Sequence, residues 1–129
     1  MASHVYPKAK EAFISTGIDL TSSTVKIVLL TSAYTYSASH QFYSDLSGVI
    51  VASGALASKT VTSGVFDAAD VTLTAVTSGS TITALAGYKD TGTTTTSQLL
   101  WFNDGFSQAT TGGDVTVQWD SGASRIFAL

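Results

Sequence analysis

Between Val71 and Phe102 the chain carries three apolar segments separated by polar breaks, the first two with strict alternation. A period of two places successive side chains on opposite faces of a strand, which commits this stretch to a sheet. Val71, Leu73 and Ala75 alternate with Thr72 and Thr74, and the turn Thr77-Ser78-Gly79-Ser80 follows. From Thr81 to Lys89, Ile82, Ala84, Ala86 and Tyr88 share one face, with Thr83 and Leu85 on the other. After the polar segment Asp90 to Gln98, Leu99-Leu100-Trp101-Phe102 is apolar on both faces, as a central, covered strand must be. The expectation is three consecutive strands of an antiparallel meander.

The flanking segments add strands and little helix. Thr24 to Thr31 sets Val25, Ile27 and Leu29 against Val28 and Leu30, again apolar on both faces beside Lys26. Val49-Ile50-Val51 begins a short strand, and Ala55 to Thr62 reads as a weaker one near an edge, where Lys59 discourages aggregation. Ser63-Gly64 turns the chain into Val65-Phe66, and Asn103-Asp104-Gly105 is a strong turn signal. Val115, Val117 and Trp119 alternate with Thr116, Gln118 and Asp120; the turn Ser121-Gly122 then leads to an apolar end, Arg125 to Leu129. Such an end is expected to be tied into the fold or a subunit contact.

Pro7 opens a helix to Ser15, because a proline at the first helical position loses no bonded N–H. Ala9, Ala12 and Phe13 form its apolar stripe, Lys8, Lys10 and Glu11 its solvated side, and Gly17 its left-handed stop. Ser39 to Leu46 fits a second helix of two turns, capped by Ser37 or Ser39, pinned by Phe42 and Leu46 and ended by Gly48. The fold class is therefore α+β and β-dominated, an antiparallel sheet or sandwich with an N-terminal helix and one short helix. Residues 1–129 read as a single domain with a short flexible N-terminus. The expected core includes Ile27, Leu29, Leu73, Trp101, Val117 and Trp119.

Composition narrows the partners. Six basic residues against nine acidic ones give a net charge of −3, too acidic and too sparse for a surface that tracks phosphates, so no nucleic acid is expected. No apolar run approaches the roughly 20 residues of a membrane span, and Met1 to Val5 lacks the regions of a secretory signal. The absence of cysteine removes disulfides, thiolate metal sites and cysteine nucleophiles together. Charged residues are only 12%, while serine and threonine fill the strand surfaces instead.

No catalytic constellation emerges, and neither an enzyme activity nor a metal or cofactor is expected. His4 and His40, the two histidines, have no metal-ligand spacing, and no nucleophile elbow surrounds any of the serines. Asp67, Asp70, Asp104, Asp114 and Asp120 lack the EF-hand ligand pattern and read as turn formers. The aromatics are better candidates. Trp101 and Trp119 would make a sugar-stacking platform if exposed, but their apolar neighbours at i±2 favour burial. Tyr34, Tyr36 and Tyr43 are expected at a surface, where a side chain apolar in body and polar at the tip suits protein contact.

Several segments carry a family likeness. They are Tyr6-Pro7-Lys8-Ala9-Lys10-Glu11-Ala12-Phe13 with Ile18-Asp19-Leu20-Thr21, Tyr34 to Phe42, Lys59 to Val71, Gly113 to Asp120, and Ile126-Phe127. Over nearly its whole length the chain resembles a family of small bacteriophage proteins found with virion structural genes. The resemblance implies a structural protein of the phage particle, made in the host cytoplasm, and names no enzymatic residues. The leading expectation is a capsid decoration (cement) protein on the capsid surface, a homo-oligomer bound to the major capsid protein or other virion proteins. The alternative is a tail or fibre component contacting a host receptor or carbohydrate. Tyr6, Lys8, Tyr34, Tyr36 and Tyr43 are the candidate contact residues.

Overall fold

The computed structural model describes residues 2–15, 18–46, 50–104, 107–119 and 126–128. In order these form β1 (Ala2–Val5), α1 (Pro7–Ser15), β2 (Val25–Thr31), a one-turn 3₁₀ helix (Tyr43–Leu46), β3 (Ile50–Ala55), β4 (Thr60–Thr62) and β5 (Val65–Asp67). There follow β6 (Val71–Leu73), β7 (Thr81–Lys89), β8 (Gln98–Asp104), β9 (Gln108–Ala109), β10 (Val115–Val117) and β11 (Phe127–Ala128). The fold is α+β and β-dominated, as the alternation predicts.

One antiparallel sheet, in the order β1-β8-β7-β2-β3, organises the molecule, and β9 continues the β8 ladder along β7. Its interior strands are those whose sequences are apolar on both faces. β8 lies between β1 and β7, with Leu99, Leu100 and Trp101 fully buried, and β2 lies between β7 and β3. The register aligns Ile27 with Gly87 and Gly87 with Trp101, so the Trp101 side chain lies over a gap in β7. A Cβ at Gly87 would stand 2.1 Å from the indole ring. On this face Trp101 meets Phe66 of β5 at 5.6 Å and Trp119 at 6.2 Å between ring centroids. Two small antiparallel sheets, β11-β5-β4 and β10-β6, supply that cover. The opposite face carries Val28, Ala86 and Phe102 in one cross-strand row, covered by the aromatic residues before and after β2.

Several local expectations hold in detail. α1 runs from Pro7 to Ser15 with Ala9 buried and Ala12 and Phe13 half-buried. Ser63 and Gly64 have φ of 52° and 78°, the left-handed pair that a two-residue hairpin between β4 and β5 requires. Ile27, Leu29, Leu73, Trp101 and Val117 are core residues.

Others are corrected. β6 does not pair with β7, so the three-stranded meander is a two-stranded one. Ala75 adopts φ 51°, its N–H donates to the Asp114 carboxylate, and Val76 N–H donates to the Gly113 carbonyl, which turns β6 onto β10. The helix expected over Ser39 to Leu46 shrinks to one 3₁₀ turn, because its first residues bond to β8 instead. Leu99 N–H donates to the Gln41 carbonyl and Tyr43 N–H to the Ser97 carbonyl, each at 2.8 Å. The caps expected from Ser37 or Ser39 give way to Asp45, whose carboxylate accepts the N–H groups of Gln41 and Phe42. Leu46 is buried as expected, but Phe42 is only half-buried.

The strand expected around Val49-Ile50-Val51 is described as Ile50–Ala55, and the weaker strand expected after it is only Thr60–Thr62. Ala2–Val5, read as a flexible lead-in, forms β1 against β8. Asn103 and Asp104 belong to β8 and not to a turn, because they pair with Ser3 and Ala2. Trp119 is half-buried, since it lies beyond β10, which stops at Val117. The expected stops Gly17 and Gly48, together with Val49, Gly105, Asp120, the Ser121-Gly122 turn, Arg125 and Leu129, lie outside the described residues.

The Trp101–Gly87 contact yields a stability prediction. Gly87→Ala overfills a site whose neighbour is a fully buried indole, and is expected to cost about 1–3 kcal/mol or more in denaturant unfolding. Gly54→Ala meets the terminal methyl of Leu73 and is expected to cost less, because that group can turn aside.

Candidate interaction surface

β1 brings the N-terminal segment alongside β8, with His4 opposite Phe102 in the register. Tyr6 N–H then donates to the Leu100 carbonyl at 3.1 Å, anchoring the start of α1 to the same strand. The loop after β2 returns across this face. Tyr36 lies 5.2 Å from the Tyr6 ring and 5.4 Å from Phe102, and Tyr34 lies 5.5 Å from Phe102. His4 completes the cluster at 6.1 Å from both Tyr36 and Phe102. Its imidazole Nε2 is 3.7 Å from the Asp104 carboxylate, and both side chains are about half exposed.

A line of polar tips runs through the cluster. The Tyr6 and Tyr34 hydroxyl oxygens are 2.6 Å apart, and Tyr34 Oη is 2.8 Å from His40 Nδ1. Tyr6 is fully buried. Burial, and after it the hydrogen bond with Tyr34, pushes its phenol far above the ordinary tyrosine range. Burial raises Tyr34 as well. The arrangement chemically offers stacking, half-exposed hydroxyls and an imidazole, with a buried phenol as its post.

The five candidate contact residues do not form one site. Tyr6, Tyr34 and Tyr36 come together, with Tyr6 as an inaccessible support and Tyr34 and Tyr36 half-buried. Tyr43 packs instead on Tyr88, at 4.7 Å, beside the Lys26–Asp90 ion pair of 2.8 Å. Burial raises the Tyr43 phenol and pushes Tyr88 up to about 12. Lys8 sits on α1, 3.5 Å from Glu11. His4, His40 and Phe102 are the cluster members that contact reasoning on the sequence missed. The alternation of Tyr34 and Tyr36 marks a shared face, but only the β1–β8 register brings His4 to it.

The remaining candidates resolve as follows. Trp101 is fully buried, with its indole N–H donating to Asn103 Oδ1 at 2.7 Å, so it forms no sugar platform. Trp119 donates its indole N–H to the Ala69 carbonyl at 3.1 Å. The aspartates expected as turn formers do other work: Asp67 and Asp104 lie in β5 and β8, and Asp70 and Asp114 tie distant segments together, whereas Asp19 does shape a local turn. Asp19 accepts from Thr21 and Ser22, which holds its carboxyl down at about 2, and Asp70 and Asp114 accept the N–H groups of Trp119 and Ala75. Among the described residues no group of three or more histidine or carboxylate side chains is placed to hold a metal ion, and no helix is long and apolar enough to cross a membrane. Comparison of the chain with protein-family models, curated proteins and solved structures returns no match.

The buried phenols set the alkaline limit of the fold. A group whose folded pKa is raised supplies stability that is complete below its unfolded value, about 10, and is lost as pH climbs toward the folded value. Tyr6, Tyr34, Tyr43 and Tyr88 all act in this direction, Tyr88 up to about 12. Phenolate absorbance followed against pH is expected to show the fully buried Tyr6 ionising only with unfolding, above pH about 10. Tyr6→Phe is expected to cost about 0.5–1.5 kcal/mol at neutral pH and to make the alkaline loss shallower.

Asp45 acts at the other end. Its carboxyl is held below the usual range first by the Gln41 N–H and then by the Phe42 N–H. Its contribution is present above pH about 4 and is lost as pH falls through the folded value. Asp45→Asn is expected to flatten this acid limb in thermal melts across pH 2–5, numbers on the order of the carboxylate range.

Proposed function

We propose that this protein is a structural component of a bacteriophage particle, a decoration protein that binds the assembled head and acts by contact and not by catalysis. The observation that carries the reading is a convergence. Tyr6 and the tyrosine loop, both within the segments that resemble phage structural proteins, meet His4 and Phe102 in one half-exposed aromatic patch on β1 and β8. Half-exposed tyrosines over a fixed base suit a protein partner, since each adds apolar area and a polar tip with few rotamers to freeze.

The mechanism is linkage. A rigid domain that binds neighbouring subunits of the shell, and not separated ones, stabilises the assembly in proportion to its occupancy. The major capsid protein is the partner this reading requires. Attachment through apolar and aromatic area, with few charges, makes it weakly dependent on salt. Of the tryptophan pair that the tail or fibre alternative draws on, Trp101 is enclosed and Trp119 is half-buried.

Particles prepared without the protein are expected to lose infectivity faster on heating and osmotic shock than complete ones. Tyr36→Ala, checked as folded by circular dichroism, is expected to weaken rebinding to stripped particles about tenfold or more, the scale of an interface anchor. Equal survival of the two particle types, or antibody labelling confined to the tail, would reject the decoration role.

A further inference from the structure

Tyr43 and Lys26, which take no part in the aromatic patch, line a separate cavity of about 170 Å³. Lys26 lies opposite Tyr88 in the β2–β7 register, so both side chains leave the sheet on one face. Just past β7 stands Asp90, its carboxylate 2.8 Å from the Lys26 ammonium. Tyr43 packs on Tyr88, and Thr93 and Thr94 form an exposed rim.

The walls are braced from within. Asp90 N–H donates to the Thr24 carbonyl at 2.8 Å, and its Oδ1 accepts the Gly92 N–H at 2.9 Å. Buried Ser97 donates to the Thr93 carbonyl through both its N–H and its hydroxyl. The N–H groups of Tyr43 and Ser44 donate to the Ser97 and Thr94 carbonyls. Sheet, threonine loop and 3₁₀ turn thus hold one another, and binding has little left to order.

Charge and size select the occupant. Lys26 and Asp90 are opposed, so an anion meets a carboxylate, a cation meets an ammonium, and neither gains. An apolar ligand would strip water from both charges and replace none of it. Adjacent hydroxyls on a neutral ligand satisfy both at once, one accepting from the ammonium while its neighbour donates to the carboxylate. The two side chains keep 35% and 25% of their surface, so neither charge is closed off. Tyr43 and Tyr88 supply ring surface for the C–H groups of such a ligand. Burial, and after it the Asp90 carboxylate, raises the Tyr43 phenol and keeps it protonated as a donor. The volume is below the roughly 300 Å³ where ordinary ligand pockets begin, which suits one ring and not a peptide segment.

We propose that this cavity binds the terminal residue of a glycan, one neutral pyranose packed on Tyr43 and bonded through adjacent hydroxyls to Lys26 and Asp90. The inference does not rest on the virion role, because its readout is made on the purified protein.

Amide NMR of the isotopically labelled chain, titrated with methyl glycosides of glucose, galactose, mannose and N-acetylglucosamine, tests it. At least one is expected to shift Gly92, Thr93 and Thr94 with a Kd of about 1 mM, as befits a single small subsite. Asp90→Asn keeps the oxygen that accepts the Gly92 N–H and removes the charge. It is expected to weaken binding about tenfold or more and to let sulfate shift the same amides. Lys26→Met keeps the apolar stem and is expected to weaken binding about as much. The unchanged remainder of each spectrum shows that the variants are folded. No shift with any glycoside, shifts confined to other residues, or binding that both variants leave intact overturns the proposal. So does a wild type shifted by sulfate, which would make the cavity an anion site. Binding of a free sugar without its methyl glycoside also overturns it, because the end of a glycan would then be excluded.

Discussion

The fold depends on the placement of the Trp101 indole over Gly87. A strand that is apolar on both faces cannot be left at a surface, and β8 is such a strand over Leu99 to Phe102. Its largest side chain needs depth, and the missing Cβ of Gly87 provides it within the sheet itself. The indole then presents its rim outward, where Phe66 and Trp119 close over it. The same device recurs at Gly54, where Leu73 of β6 descends onto the backbone of β3. Two glycines thus dock the two small sheets to one face of the large one, and both contacts are close enough to set position as well as burial.

The other face follows from the same strand. Phe102 points away from Trp101 and its cover, and would be open without the N-terminal segment and the tyrosine loop. Tyr6 is held by the backbone of Leu100 and shares its hydroxyl contact with Tyr34, so the loop rests on a buried post. This makes the aromatic patch a by-product of covering β8. A surface ordered by its role in the core loses little freedom on binding, which is the cost that weakens contacts made by mobile loops.

What the sequence revealed was local. α1 and β7 occupy the residues their patterns predict, because proline at the helix start and strict alternation act within a few residues of themselves. Pairing was not legible, because period two states which side chains share a face and not which strand lies alongside. β6 and β7 look alike in pattern, yet the left-handed Ala75 and the carboxylate of Asp114 send β6 to a partner some forty residues away, on the order of a non-local closure. The short helix failed for a related reason: Gln41 and Tyr43 found ladder partners at the start of β8, which no helical signal in Ser39 to Leu46 reveals. For the site, tyrosine alternation identified Tyr34 and Tyr36, whereas Tyr43 faces Tyr88 because the chain turns between them. His4 entered through register alone.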